Sequence, residues 1–226
     1  RASNCSIIEK IPPKGVAEDW GSDDADRDGE VTLDIPPEHF FPWSPDTPFL
    51  YDLTVGTTQG PEEDFDTVHS YFALRKWSCV PDAHGVLRFC LNEKPILLNG
   101  LLDQGYWPQG LYTPPSDAAV ERELSEVKAL GFNLLRKHAK IEPQRWYYHC
   151  DRLGLIVWQD IVNGGSAYNL WFVTYLTNVL QPLVRRLPDA EPLWGLLSRG
   201  KASSRETYRK ELQATVEALR CHPCIG

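Results

Sequence analysis

The groups in this chain that could do chemistry gather where apolar runs end. Arg136, His138 and Lys140 follow Asn133-Leu134-Leu135, Asp160 follows Leu155-Ile156-Val157-Trp158-Gln159, and Asp103 caps the strand that runs into Asn99-Gly100. Alternate residues of a strand share a face, so Arg136, His138 and Lys140 are expected on one side, the interior side if Leu135 faces helices. Cations and carboxylates at strand ends can bind hydroxyls, orient one another or exchange protons. Trp107 and Trp158, with Tyr106, Tyr112 and Trp171, offer flat apolar faces on which a ring can stack. Ordinary packing explains Trp107 and Trp158 equally well, and explains Trp171 and Tyr112 better.

Those groups need rigid elements beneath them, and the sequence spells out such elements. A helix is expected from Ser116 or Asp117, because Val120, Leu124, Val127 and Leu130 make one apolar stripe that Gly131 stops. Strand Phe132–Arg136 follows at once. A second helix, with Pro143 as its first residue, buries Trp146, Cys150 and Leu153; Gly154 ends it, and strand Leu155–Trp158 follows. Single-glycine joints lead from helix to strand, while long polar loops lead from strand to helix. That grammar is a parallel α/β sheet with function at its C-terminal strand ends. A barrel of eight units fits best and a doubly wound sheet second, and no glycine-rich phosphate loop follows any strand. Tyr208, Leu212, Val216 and Leu219 mark a last helix from Ser203 or Ser204.

Before this region the grammar is β. Phe49–Val55 alternates, Val68–Leu74 and Glu30–Ile35 are β-rich, and Val86–Leu91 with Pro95–Leu98 frames a hairpin around Asn92-Glu93-Lys94. Residues 1–82 are therefore expected to be a sandwich portion and residues 83–226 the start of the α/β domain.

Composition narrows the function. A net charge of −8 over 226 residues disfavours nucleic acid. No apolar run approaches the roughly 20 residues of a membrane span. The six cysteines are spaced too irregularly for a disulfide framework, which leaves the compartment open with a lean to the cytoplasm. The chain opens on Arg1 and lacks Met, which points to a piece of a longer polypeptide. Asp24–Gly29 opens like a calcium loop, but its twelfth position is Ile35 and not Glu. Cys221-His222-Pro223-Cys224 has ligand spacing without a second pair. No metal is expected at either.

Three stretches resemble glycoside hydrolase family two, the β-galactosidase, β-glucuronidase and β-mannosidase family. Trp43-Ser44-Pro45-Asp46-Thr47-Pro48-Phe49-Leu50-Tyr51 is similar to a late strand of its immunoglobulin-like domain. Leu91–Ile96 through Asn99-Gly100 is similar to the entry into its barrel. Asn133–Trp158 is similar to its barrel signature, although Ala139-Lys140-Ile141 stands where the signature has His-Tyr-Pro.

The resemblance implies an incomplete immunoglobulin-like β-sandwich followed by the first three βα units of a (β/α)8 TIM barrel. It implies a retaining glycosidase on β-linked sugars, with a carbohydrate substrate, no cofactor and room for a homo-oligomer. Both catalytic glutamates of the family would follow Gly226, since His222–Gly226 is similar to the approach to the fourth strand. Asp103, Trp107, Arg136, His138, Lys140, Trp158 and Asp160 are the expected substrate-binding residues. A network orienting those glutamates and a structural salt bridge to Asp160 are equal alternatives for the Arg136 group. Two rivals are carried forward. Asp103 and Asp160, capping the first and third strands, would stand roughly 10 Å apart as an inverting pair. The chain would otherwise be a non-catalytic module that binds carbohydrate or a partner.

Overall fold

The computed structural model describes residues 7–11, 35–57, 66–162, 169–188, 190 and 200–226. The expected strand at Glu30–Ile35, apart from Ile35, and the acidic turn at Asp24–Gly29 lie outside them. Among the described residues, three sheets of three strands follow one another. In the first, β1 (Ile7–Ile11) runs parallel to β2 (Tyr51–Thr57), which pairs antiparallel with β3 (Asp66–Phe72). Tyr51 anchors it: the ring stacks on Phe72 with centroids 4.9 Å apart, and the hydroxyl donates to the His39 carbonyl and accepts from the Phe41 amide.

In the second sheet, β4 (Trp77–Pro81), β5 (Leu87–Leu91) and β6 (Lys94–Pro95) form an antiparallel meander. Its second turn is Asn92-Glu93, both with positive φ of 51° and 67°, the two-residue geometry whose twist matches a hairpin. The hairpin was expected; β4 was not, and residues 82–86 make the turn that joins it to β5.

The third sheet is parallel, as its loop lengths require: β7 (Gly100–Asp103), β8 (Leu134–Lys137) and β9 (Ile156–Gln159) in that order. Helix α1 (Asp117–Ala129) starts at Ser116, whose Oγ accepts from the Ala119 amide, and stops at Gly131 with φ 89°. Helix α2 (Gln144–Leu153) has Pro143 as its N-cap, so it starts one residue after the expected first residue, and it ends at left-handed Gly154. Helix α3 (Ala202–Leu219) buries Leu219 but leaves Val216 exposed, so the expected stripe is incomplete. Beyond α3, Cys224–Gly226 bonds to β9 on both sides of Val157, in parallel register. A fourth strand position therefore begins there.

One core joins these layers. Leu135 and Val157 meet Val120 and Leu124 of α1 and Trp146, Tyr147 and Cys150 of α2, with Trp43 packed in from the first β region. The Trp43 indole donates to the Asp151 carbonyl at 2.8 Å, and the Lys128 ammonium bridges the carbonyls of Pro45 and Gly154. This explains the composition of the Trp43–Tyr51 stretch: it docks on the end of α2. A Cβ at Gly154 would strike the Pro45 backbone from a left-handed conformation. Gly154→Ala is therefore expected to cost about 1–3 kcal/mol, read as a lower urea midpoint with the m-value unchanged.

Candidate functional site

Cross-strand register sorts the candidate groups onto two faces. Leu102, Arg136 and Trp158 are register partners and lie exposed on the face turned away from the helices. The next row, Asp103, Lys137 and Gln159, points into the helix layer.

On the open face, Arg136 makes a two-point pair with Asp160, Nε to Oδ1 at 3.1 Å and Nη2 to Oδ2 at 3.0 Å. Asp160 is held from behind, its amide donating to the Lys137 carbonyl. The carboxylate keeps the guanidinium firmly charged, raising its already high pKa. Two donors of Arg136 are occupied by Asp160, and the side chain is 53% exposed. Trp158, 42% exposed, is Arg136's neighbour across the strands. It borders a cavity of about 270 Å³ with Trp77, Ser78, Phe89, Leu98 and Gly226. A planar cation, a carboxylate and an indole face suit a polyhydroxylated ring: hydroxyls meet the charged fork and C–H surface meets the indole.

The helix-facing row is a buried charge network. The Lys137 ammonium, fully excluded from solvent, lies 2.6 Å from Asp103 Oδ2 and 2.8 Å from Glu142 Oε1, and 4.2 Å from the Trp146 ring centre. Glu142 also receives Lys140 at 2.9 Å. Beside them the Tyr147 hydroxyl donates to Gln159 at 2.6 Å and is held protonated, chiefly by burial. A lysine inside an apolar strand demands counter-charge, and Asp103, its register partner on the same face, supplies it.

Several expectations change accordingly. Asp103 and Asp160 do not form an acid–base pair: they sit on opposite faces, each held by its own cation. Lys140 does not share the Arg136 side, because Ala139 takes φ 53° and breaks the strand alternation. Its ammonium instead ties down the loop after β7, donating to the carbonyls of Gly105 and Tyr112. Trp107 packs beside a different cavity, of about 440 Å³ against the start of α1, away from Trp158. His138, at the end of β8, meets Gln104 at 2.9 Å. The structure thus brings together Arg136, Asp160 and Trp158, with His138 on the same strand end, and assigns Asp103 and Lys140 to the supporting layer.

Lys137, Glu142, Gln104 and Gln159 were missed from sequence; the usable signal was a lysine one residue after an arginine in a strand otherwise apolar. A second missed cluster links the β region to α2. Buried Asp151 accepts from the Tyr71 hydroxyl at 2.8 Å and the Cys224 amide at 2.8 Å, and pairs with His222 Nδ1 at 2.7 Å.

No family model matches the chain. Among curated proteins it is similar to β-galactosidase 2 of Enterobacter cloacae, 27% identical over 157 residues that cover 70% of this chain and 14% of that protein. It is likewise similar to a β-galactosidase of Leuconostoc mesenteroides, 29% identical over 152 residues, 67% of this chain and 14% of that one. The fold matches a family-two (GH2) β-galacturonidase from Eisenbergiella tayi solved with galacturonate, at a TM-score of 0.58 and 17% identity over 86% of this chain and 28% of that one. The chain spans about a seventh of those curated relatives, 14% of each. The likeness is thus to β-galactosidases in sequence and to a family-two enzyme in fold.

Proposed function

From that kinship, we propose that this chain is the sugar-binding start of a retaining glycosidase acting on β-linked sugars. In this reading it supplies the first three units of a (β/α)8 barrel, residues 83–226, behind an immunoglobulin-like portion, residues 1–82. The observation that carries the reading is the two-point Arg136–Asp160 pair beside half-exposed Trp158, at the C-terminal ends of parallel strands where such folds bind substrates. His138 lies beside them, and Asp103, Lys137, Lys140 and Glu142 hold the strand ends and the loop after β7 in place.

Retaining hydrolysis needs an acid/base and a nucleophile with carboxyls about 5–5.5 Å apart. With Asp103 neutralising Lys137 and Asp160 bound to Arg136, this chain contributes binding. The two glutamates are taken to come from polypeptide after Gly226, next to the strand position that opens there beside β9. No redox cofactor enters the reaction.

A panel of nitrophenyl β-galactoside, β-glucuronide, β-mannoside and β-glucoside tests this on the polypeptide extended past Gly226. One of the four is expected to be hydrolysed, and Trp158→Ala is expected to lower kcat/KM about 10- to 100-fold through lost apolar contact. A folded extended protein that hydrolyses none of them overturns the proposal.

A further inference from the structure

We infer that Gln104 is a positioning residue that holds the His138 imidazole as its Nε2–H tautomer, so that the ring offers a ligand an N–H donor. The inference rests on the sugar-binding reading for its ligand but not for its geometry. The Gln104 side-chain amide nitrogen lies 2.9 Å from His138 Nδ1. In this orientation the amide nitrogen donates, which matches a lone pair on Nδ1 and, in the neutral imidazole, a ring proton on Nε2. That nitrogen then matches an acceptor oxygen, such as a sugar hydroxyl oxygen or a ring substituent carboxylate. It cannot serve as a base while neutral in this tautomer.

The two partners are held together independently of that bond. The His138 amide donates to the Asp103 carbonyl at 2.8 Å, so the residue before Gln104 is stitched to His138 itself. Asp103 is pinned by Lys137, and its Oδ1 accepts from the Gly105 amide at 2.7 Å. Gly105 takes a left-handed φ of 65°, and a side chain there would collide with Lys140 and Glu142. The Gly105 carbonyl accepts from Lys140 at 2.9 Å. Residues on both sides of Gln104 are thus fixed by the buried charge network, and the glutamine inherits that rigidity. The departure at Ala139-Lys140-Ile141 acquires a role: it forms the clamp that sets Gln104 against His138.

The tautomer can be read without any activity. Long-range proton–nitrogen NMR on the full chain with labelled histidine separates bare from protonated ring nitrogens, and His138→Gln identifies the signals by their loss. At a pH where the ring is neutral, His138 is expected to show protonated Nε2 and bare Nδ1. In Gln104→Glu the carboxylate can only accept, so the pattern is expected to invert; in Gln104→Leu the two tautomers should mix. A native-like spectrum for the remaining histidines serves as the folding control. Protonated Nδ1 in the unsubstituted chain, or a pattern indifferent to Gln104→Glu, overturns the inference. Failure of the glycoside panel would leave this result standing and count against the sugar reading alone.

Discussion

Lys137→Met is expected to lower the free energy of unfolding by about 3–5 kcal/mol, the range for breaking a buried ion pair by removing one partner. The substitution keeps an unbranched chain of similar volume against Trp146, so the loss is electrostatic and not a cavity. Asp103 and Glu142 would be left facing each other, and Glu142 is almost wholly out of solvent, with Lys140 as its remaining cation among the described residues. Urea denaturation gives the number. The triple variant Lys137→Met, Asp103→Asn, Glu142→Gln removes the stranded charges and should recover most of the loss. Equal stability of Lys137→Met and the unsubstituted chain would show that the network is hydrated and that its geometry carries no energetic weight.

Asp151→Ala is expected to have an effect of the same size by a different route. Its carboxylate is the shared acceptor for the Tyr71 hydroxyl, the His222 ring and the Cys224 amide, and it is fully buried. Removal strands three donors in the interior, at about 1–3 kcal/mol for each that finds no water. The Tyr71 hydroxyl is already held far above its ordinary pKa, first by burial and then by the Asp151 charge, so it stays a neutral donor in search of an acceptor. Asp151→Asn keeps one carbonyl oxygen and should lose less. The change also has a local signature. Cys224 presents its carbonyl to the Val157 amide, so hydrogen exchange at Val157 should accelerate more than at Leu135, inside the same sheet. Uniform acceleration across both strands would mean that Asp151 supports global stability without holding the fourth strand position.

Much of the architecture was legible in the sequence because its signals are local. Ser116 as a cap, Gly131 and Gly154 as left-handed stops, the Asn92-Glu93 turn and the apolar stripes of α1 and α2 each act within one or two turns of chain. Short joints at Gly131 and Gly154, four and two residues long in the structure against the single glycines expected, then forced parallel strands. The resemblance carried by Trp43–Tyr51, Leu91–Gly100 and Asn133–Trp158 was legible for a related reason. Those are the stretches where backbone docking dictates residue type, as with Trp43 on the end of α2 and Gly154 under Pro45.

What the sequence determined by itself was therefore the order of elements, the parallel sheet and the strand ends at which polar groups collect. Tertiary structure alone decided which polar groups reach which face. Asp103 and Asp160 both close a strand, yet register sets one in the Lys137 row on the helix side, while the other pairs with Arg136 on the open face. Arg136, His138 and Lys140 have the spacing of one strand face, but a left-handed Ala139 turns Lys140 to the loop after β7. Strand β4 escaped notice because its partner β5 defines it, and Asp151, Tyr71 and His222 look unrelated until the chain brings them together across 80 and 151 positions. Charges separated along the chain choose their partners only after the backbone has packed, because desolvation is felt only in the folded interior and pairing there offsets it.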